Sequence, residues 1–149
     1  MLIPQKLPQF ETGAALIIAT GTEEADFYLA NEGEINKVDS FELEKDNYSD
    51  REDVGKVGGA GGHGYETGAR FERMHKMQRI NFLKEFKAHL KSATAGNKLK
   101  SVYLFAPAEV YKELKAALPA SLQKVMRRTE KGNVHKEGPI KLLQRIQKA

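Results

Sequence analysis

A glycine-rich stretch in the middle of the chain contains the residues best suited to chemistry. Six glycines lie between Gly58 and Gly68, with a histidine, a tyrosine and a glutamate among them. So many glycines leave the backbone free to present its N–H groups to a phosphate, and a histidine can act as a base near neutral pH. The sequence therefore predicts a flexible loop over residues 45–68 that brings backbone amides and His63 to a ligand.

The residues after this loop favour a long basic helix. No Gly or Pro occurs from Ala69 to Leu90, and good helix formers dominate the segment. Between Ala69 and Lys91 there are seven Lys or Arg against two Glu, so contact with a phosphate backbone is expected. Tyr65 could stack on a base, whereas Phe71 suits the core better. The candidate nucleic-acid-binding residues are Gly61, Gly62, His63, Gly64, Tyr65, Arg70, Arg73, Lys76 and Arg79.

Plainer interpretations of both segments are open at this point. A glycine-rich surface loop is often only mobile, and a run of charge on an amphipathic helix is commonly a solvated face. The loop also lacks the Lys-Ser/Thr pair of a phosphate-binding P-loop. Its length favours a function, because a connection over residues 45–68 exceeds the usual loop.

Composition and spacing exclude several other chemistries. The chain has no cysteine, which excludes disulfides, thiolate metal sites and cysteine nucleophiles. His75 and His89 are too far apart on one helix to share a metal, and His135 lies in a predicted loop. The Glu23/Glu24 pair is interpreted as loop charge. We therefore expect no metal and no cofactor.

The bulk properties predict a soluble, mildly basic domain. The 149 residues suffice for one domain with its own core, and the formal charge of +4 permits an anionic partner. Acidic residues concentrate at 34–53, whereas most Lys and Arg lie between Arg70 and Lys148. No segment approaches the roughly 20 apolar residues of a membrane span, and the N-terminus lacks the apolar core of a signal peptide. We expect a cytoplasmic location and no membrane partner, and leave the oligomeric state open.

The pattern of apolar runs predicts the elements that position these residues. Three strands joined by short turns would form an antiparallel meander, followed by the loop, the long helix and alternating strands and helices. This order indicates an α/β class domain, with a mixed five-stranded sheet covered by about three helices. The predicted strands are residues 14–20, 25–30, 35–43, 99–106 and 122–128, and the predicted helices are residues 69–91, 108–118 and 140–147.

Two segments of the chain resemble a known family. The sequence ALIIATGTEEADFYLANEG at residues 15–33, and SVYLFAPAEVYKELKAAL at residues 101–118, are similar to the bacterial proteins labelled host attachment proteins. That group is regarded as a bacterial branch of the archaeo-eukaryotic release factor superfamily. The resemblance covers nearly the whole chain, and it implies a single domain like the middle domain of those release factors.

In those release factors a loop carrying Gly-Gly-Gln precedes a long basic helix that begins with an Arg-Phe pair. The segment from Arg70-Phe71 onward resembles that helix, but this chain contains no Gly-Gly-Gln. Counting back without a gap places Gly64-Tyr65-Glu66 at the tripeptide, and the nearest Gly-Gly pair is in Gly61-Gly62-His63. In the release factors this glutamine helps water to attack the peptidyl-tRNA ester. Its absence from this chain therefore argues against peptidyl-tRNA hydrolysis.

Three hypotheses follow from these residues and this resemblance. The first is a non-catalytic, release-factor-like protein that binds the ribosome or tRNA through the loop and the basic helix. The second is a peptidyl-tRNA ester hydrolase that uses His63 or Glu66 in place of glutamine. The third is a protein-interaction factor in cell attachment, as the family label suggests.

Overall fold

The computed structural model describes residues 1–43, 64–96 and 98–148, with side chains in the first helix described from Glu72 onward. The elements in chain order are β1 (Ala14–Thr20), β2 (Glu24–Asn31), β3 (Glu34–Glu42), α1 (Gly64–Thr94), β4 (Leu99–Ala106), α2 (Ala108–Ala117), α3 (Ala120–Gln123), β5 (Met126–Lys131), a 3₁₀-helix (His135–Glu137) and α4 (Pro139–Gln147).

One mixed sheet of five strands organises the domain, in the order β3-β2-β1-β4-β5. β1, β2 and β3 pair antiparallel, and β1, β4 and β5 pair parallel. Parallel neighbours need a crossover connection, and the helices α1 and α2 supply it. The predicted α/β class and the mixed five-stranded sheet with its N-terminal meander are confirmed.

The first face of the sheet packs against α1 and α2. β1 and the second half of β4 are largely apolar because helices or chain segments cover both faces of the sheet. On α1, Phe82, Phe86 and Leu90 recur every four residues and are buried. The ring of Phe86 lies 5.7 Å from that of Phe27 on β2. The C-terminal half of α1 is therefore held to the centre of the sheet.

The second face packs against α4 and the N-terminal segment. Ile3 and Leu7 of that segment join a cluster with Leu142 and Leu143 of α4 over the odd-numbered residues of β1. This N-terminal segment therefore contributes to the core. In α4 the buried residues are Leu142, Leu143 and Ile146, while Ile140 is half-buried.

The long helix begins at Gly64, five residues before its predicted start at Ala69. The last five residues of the predicted loop, 64–68, therefore belong to α1. The rest of that loop, residues 45–63, lies outside the described residues. Extending a formed helix adds one hydrogen bond per residue, which offsets the cost of about 1 kcal/mol for each glycine. Glycine content alone was a poor guide to where the helix begins.

The last strand also differs from its prediction. Leu122, assigned by sequence to a strand over residues 122–128, instead lies in the short helix α3, where it is buried. Pro119 precedes this helix, and its fixed φ suits a helical start. β5 then runs from Met126 to Lys131. The prediction failed because a buried apolar residue fits either a short helix or a strand.

Candidate nucleic-acid interface

The first half of α1 makes little contact with the core. The helix has 31 residues and is about 46 Å long, whereas β1 and β4, with seven and eight residues, span about 25 Å. None of the described side chains at residues 72–81 is buried, and the first buried residue is Phe82. We call residues 64–81 the arm. Gly64, at its free end, lies about 27 Å along the helix from Phe82.

One side of α1 combines cations with exposed apolar side chains. Between Arg73 and Lys91, counting 100° per residue places seven residues within an arc of about 100°. The two glutamates with described side chains, Glu72 and Glu85, lie outside this arc. We call it the cationic face, and its members are Arg73, Lys76, Met77, Ile80, Lys84, Lys87 and Lys91, all exposed to solvent.

The structure brings two of the predicted cations together and separates a third. Arg73 and Lys76 lie on the cationic face. Arg79 lies on the flank toward α2, where its Nη1 is 3.6 Å from Oε1 of Glu113. Lys84, Lys87 and Lys91 share the face but were missing from the predicted set. Their spacing of three and four residues in the sequence already indicates that they share one side of a helix.

The remaining predicted site residues belong to the first turns of α1 or lie outside the described residues. Gly61, Gly62 and His63 lie outside the described residues. Gly64, Tyr65, Glu66 and Arg70 belong to the first turns of α1, of which the backbone is described. The first turns of the helix therefore include Gly64 and Gly68, at the end where backbone N–H groups and the positive end of the helix dipole also lie.

A histidine clamp holds α1 to the edge strand β3. Nδ1 of His89 lies 2.9 Å from Oδ2 of Asp39, and its Nε2 lies 3.5 Å from Glu85. The imidazole also stacks on the ring of Phe41, with centroids 4.8 Å apart. Sequence reasoning considered His89 only as a metal ligand and missed this role, because its partners are distant in the chain. The clamp fixes the direction in which the arm leaves the domain.

A second histidine, His135, contacts two carboxylates of β2. Nε2 of His135 lies 3.0 Å from Oδ2 of Asp26, and its Nδ1 faces Oε1 of Glu24 at 3.7 Å. Lys37 approaches the same aspartate, with its Nζ 3.7 Å from Oδ1. Glu24, interpreted from sequence as loop charge, thus begins β2 and belongs to an ion-pair network. This network ties the segment after β5 to β2 and β3.

Charge is distributed unevenly along the chain. Residues 64–149 contain 19 Lys or Arg against seven Asp or Glu, whereas residues 1–63 contain five against 13. The acidic part includes the β2–β3 hairpin, and the basic part includes α1. Within the described residues no group of three His, Cys, Asp or Glu side chains could hold a metal ion, and no helix there is long and apolar enough to cross a membrane.

Residues 14–146 match the family model of the bacterial archaeo-eukaryotic release factor family 12. The chain belongs to this family. The match confirms the resemblance to the bacterial branch of the release factor superfamily. A comparison of the sequence with curated proteins found no match.

The fold of this chain is similar to that of a solved release factor. The crystal structure of an archaeal translation termination factor, aRF1, superposes with a TM-score of 0.52 at 15% sequence identity. The similarity covers 93% of this chain and 38% of that chain, so this chain spans well under half of the archaeal factor. At this identity the likeness shows the shared fold alone.

Proposed function

We propose that this protein binds the ribosome or tRNA in the cytoplasm, and does so without catalysing hydrolysis. The glycine-rich loop and the cationic face of α1 form the binding surface. One observation carries this proposal: five exposed cations share one side of a helix whose free end bears the glycine-rich segment. The family membership supports a translation-related partner over other polyanions.

The physical basis is the release of counterions from RNA. Each phosphate neutralised by a Lys or Arg frees condensed cations, so binding weakens steeply with salt. Lysine suits this role because its ammonium is a compact charge on a flexible stem and needs no fixed geometry. Four of the five cations of the face are lysines, which favours phosphate contact over the bidentate reading of bases.

We exclude catalysis because this chain lacks the Gly-Gly-Gln glutamine of the archaeo-eukaryotic release factors. A glutamine offers both a donor and an acceptor to a water molecule, whereas a glutamate offers only acceptors and is repelled by neighbouring phosphates. In an assay of peptide release from peptidyl-tRNA on ribosomes, the unmodified protein should give no rate above background. Release that is lost in His63→Ala or Glu66→Ala would support the hydrolase hypothesis instead.

Co-sedimentation with ribosomes tests the binding itself. The unmodified protein should sediment with ribosomes at low salt and dissociate as salt is raised. The double variant Arg73→Gln/Lys76→Gln should bind more weakly, because two phosphate contacts are removed from the arm. Absence of binding at low salt, or binding unaffected by this variant, would contradict the proposal.

A further inference from the structure

The cations of the cationic face fall into two groups. Arg73 and Lys76 form one group on the arm, and Lys84, Lys87 and Lys91 form the other over the packed half of α1. Along the helix axis, Lys76 and Lys84 are about 12 Å apart. The whole set extends over about 27 Å, in a straight line set by the helix. A ligand that contacts both groups must therefore present phosphates on either side of a central gap.

Two apolar side chains fill the gap between the groups. Met77 and Ile80 are 54% and 57% exposed, although a soluble helix usually turns such residues inward. They project from the same side as the lysines, one turn apart. The helix therefore presents charge, then an apolar surface, then charge again. Phosphate alone gives no reason for the apolar centre, which needs a ligand with a less polar surface between its phosphates.

The face does not suit single-stranded RNA. Proteins that bind single strands present aromatic side chains on which bases stack. Among the side chains of α1 that the structure describes, the aromatic residues Phe82 and Phe86 are buried beneath the opposite side of the helix. The exposed members of the cationic face are aliphatic or cationic. Such side chains pack against sugars and pair with phosphates, but provide no stacking surface.

An A-form RNA double helix has the matching features. Its minor groove is wide and shallow, is lined by riboses, and is bordered by one phosphate row on each side. We propose that the cationic face of α1 binds double-helical RNA by lying across this groove. The two cation groups then contact the two phosphate rows, and Met77 and Ile80 pack on the riboses between them. This rests on the proposed function, and it names the class of RNA that the ribosome or tRNA would offer.

Binding measured by fluorescence anisotropy separates the classes of nucleic acid. The probes are an RNA duplex, the DNA duplex of the same sequence, and one RNA strand alone, each with the full chain. We expect the RNA duplex to bind about tenfold or more tightly than either alternative, because only A-form geometry places riboses between the phosphate rows. Equal affinity for the duplex and the single strand would overturn the inference.

Replacing the apolar pair tests the central contact without changing charge. The variant Met77→Gln/Ile80→Gln should weaken binding to the RNA duplex by about fivefold and leave the salt slope unchanged, since no phosphate contact is lost. The variant Met77→Leu/Ile80→Leu should retain binding and serves as the matched control. Thermal unfolding of both variants checks the fold, which these exposed positions should not disturb. Undiminished duplex binding by the glutamine variant would contradict the ribose contact.

The outcomes for the two proposals are distinguishable. Salt-sensitive ribosome binding together with no preference for duplex RNA would overturn the double-helix inference and retain the proposed function. A clear preference for duplex RNA without ribosome binding would overturn the proposed function and retain the double-helix inference. The partner would then be another structured RNA.

Discussion

Arg145 joins the last helix to the two elements before it. Its Nε and Nη2 each donate to the carboxylate of Glu137 at 2.7 Å, and its Nη1 donates to Glu130 at 2.9 Å. A planar guanidinium fits this two-pronged contact, which a lysine cannot reproduce. The hydrogen bond from Arg145 lowers the pKa of Glu137 from its ordinary value of 4.5. The contact therefore stabilises the folded state when Glu137 is ionised.

The first prediction concerns the pH dependence of this contact. A lowered folded-state pKa means that the stabilisation is fully present above pH 4.5 and is lost as the pH falls through the folded value. Glu137→Gln should therefore lower the melting temperature at pH 7, and the difference from the unmodified protein should shrink below pH 4.5. Melting curves across pH check this. A difference that persists unchanged to acid pH would contradict the prediction.

The second prediction concerns the network around His135. Asp26→Ala removes the partner 3.0 Å from its Nε2 and leaves a largely buried imidazole unsatisfied. Loss of a buried partner of this kind costs about 1–3 kcal/mol of the free energy of unfolding. Urea denaturation measures it, with Glu11→Ala as a control on an exposed carboxylate. Equal stability of the two variants would show that the network contributes nothing.

At the scale of elements, α1 consists of two halves with different support. The half from Phe82 onward is packed against the sheet and clamped by His89, whereas residues 72–81 bury no side chain. The sequence pattern predicted this helix, but not the side-chain contacts that hold it to the sheet. The apolar spacing of Phe82, Phe86 and Leu90 is local, while the contact of His89 with Asp39 joins residues from opposite sides of the glycine-rich stretch.

The third prediction follows from that difference in support. Backbone amides at residues 82–94 should exchange with deuterium much more slowly than those at residues 72–81, because local opening is easier where few contacts are buried. His89→Ala should raise exchange in the packed half and leave the sheet protected. Hydrogen-exchange mass spectrometry resolves the two peptides. Uniform protection along α1 would contradict the two-part description.

The elements that sequence reasoning missed share one physical cause. β1 and the central strand β4 were predictable because each contains a continuous apolar run. The start of α1 at Gly64 depends on propagation of a helix formed downstream, and α3 depends on Leu122 reaching the core. The network of Glu24, Asp26 and His135 forms only when strand order brings distant residues together. None of these is encoded in a local window.

For the whole molecule, Lys and Arg predominate after residue 64, and Asp and Glu predominate before it. The exposed cations on one side of α1 attract a polyanion to that helix. The long helix carries this charge past the edge of the packed core. The proposed translation-related partner would be held through the cationic face of α1.

The salt dependence of ribosome binding in two charge-matched variants tests this account most directly. Lys84→Gln/Lys87→Gln/Lys91→Gln removes three cations from the cationic face, and Lys136→Gln/Lys141→Gln/Lys148→Gln removes three exposed cations from the region of the 3₁₀-helix and α4. The first variant should make the slope of log affinity against log salt shallower by about 2–3, because three phosphate contacts are lost. The second should leave the slope unchanged. Equal slopes for the two variants would contradict the assignment of RNA binding to α1.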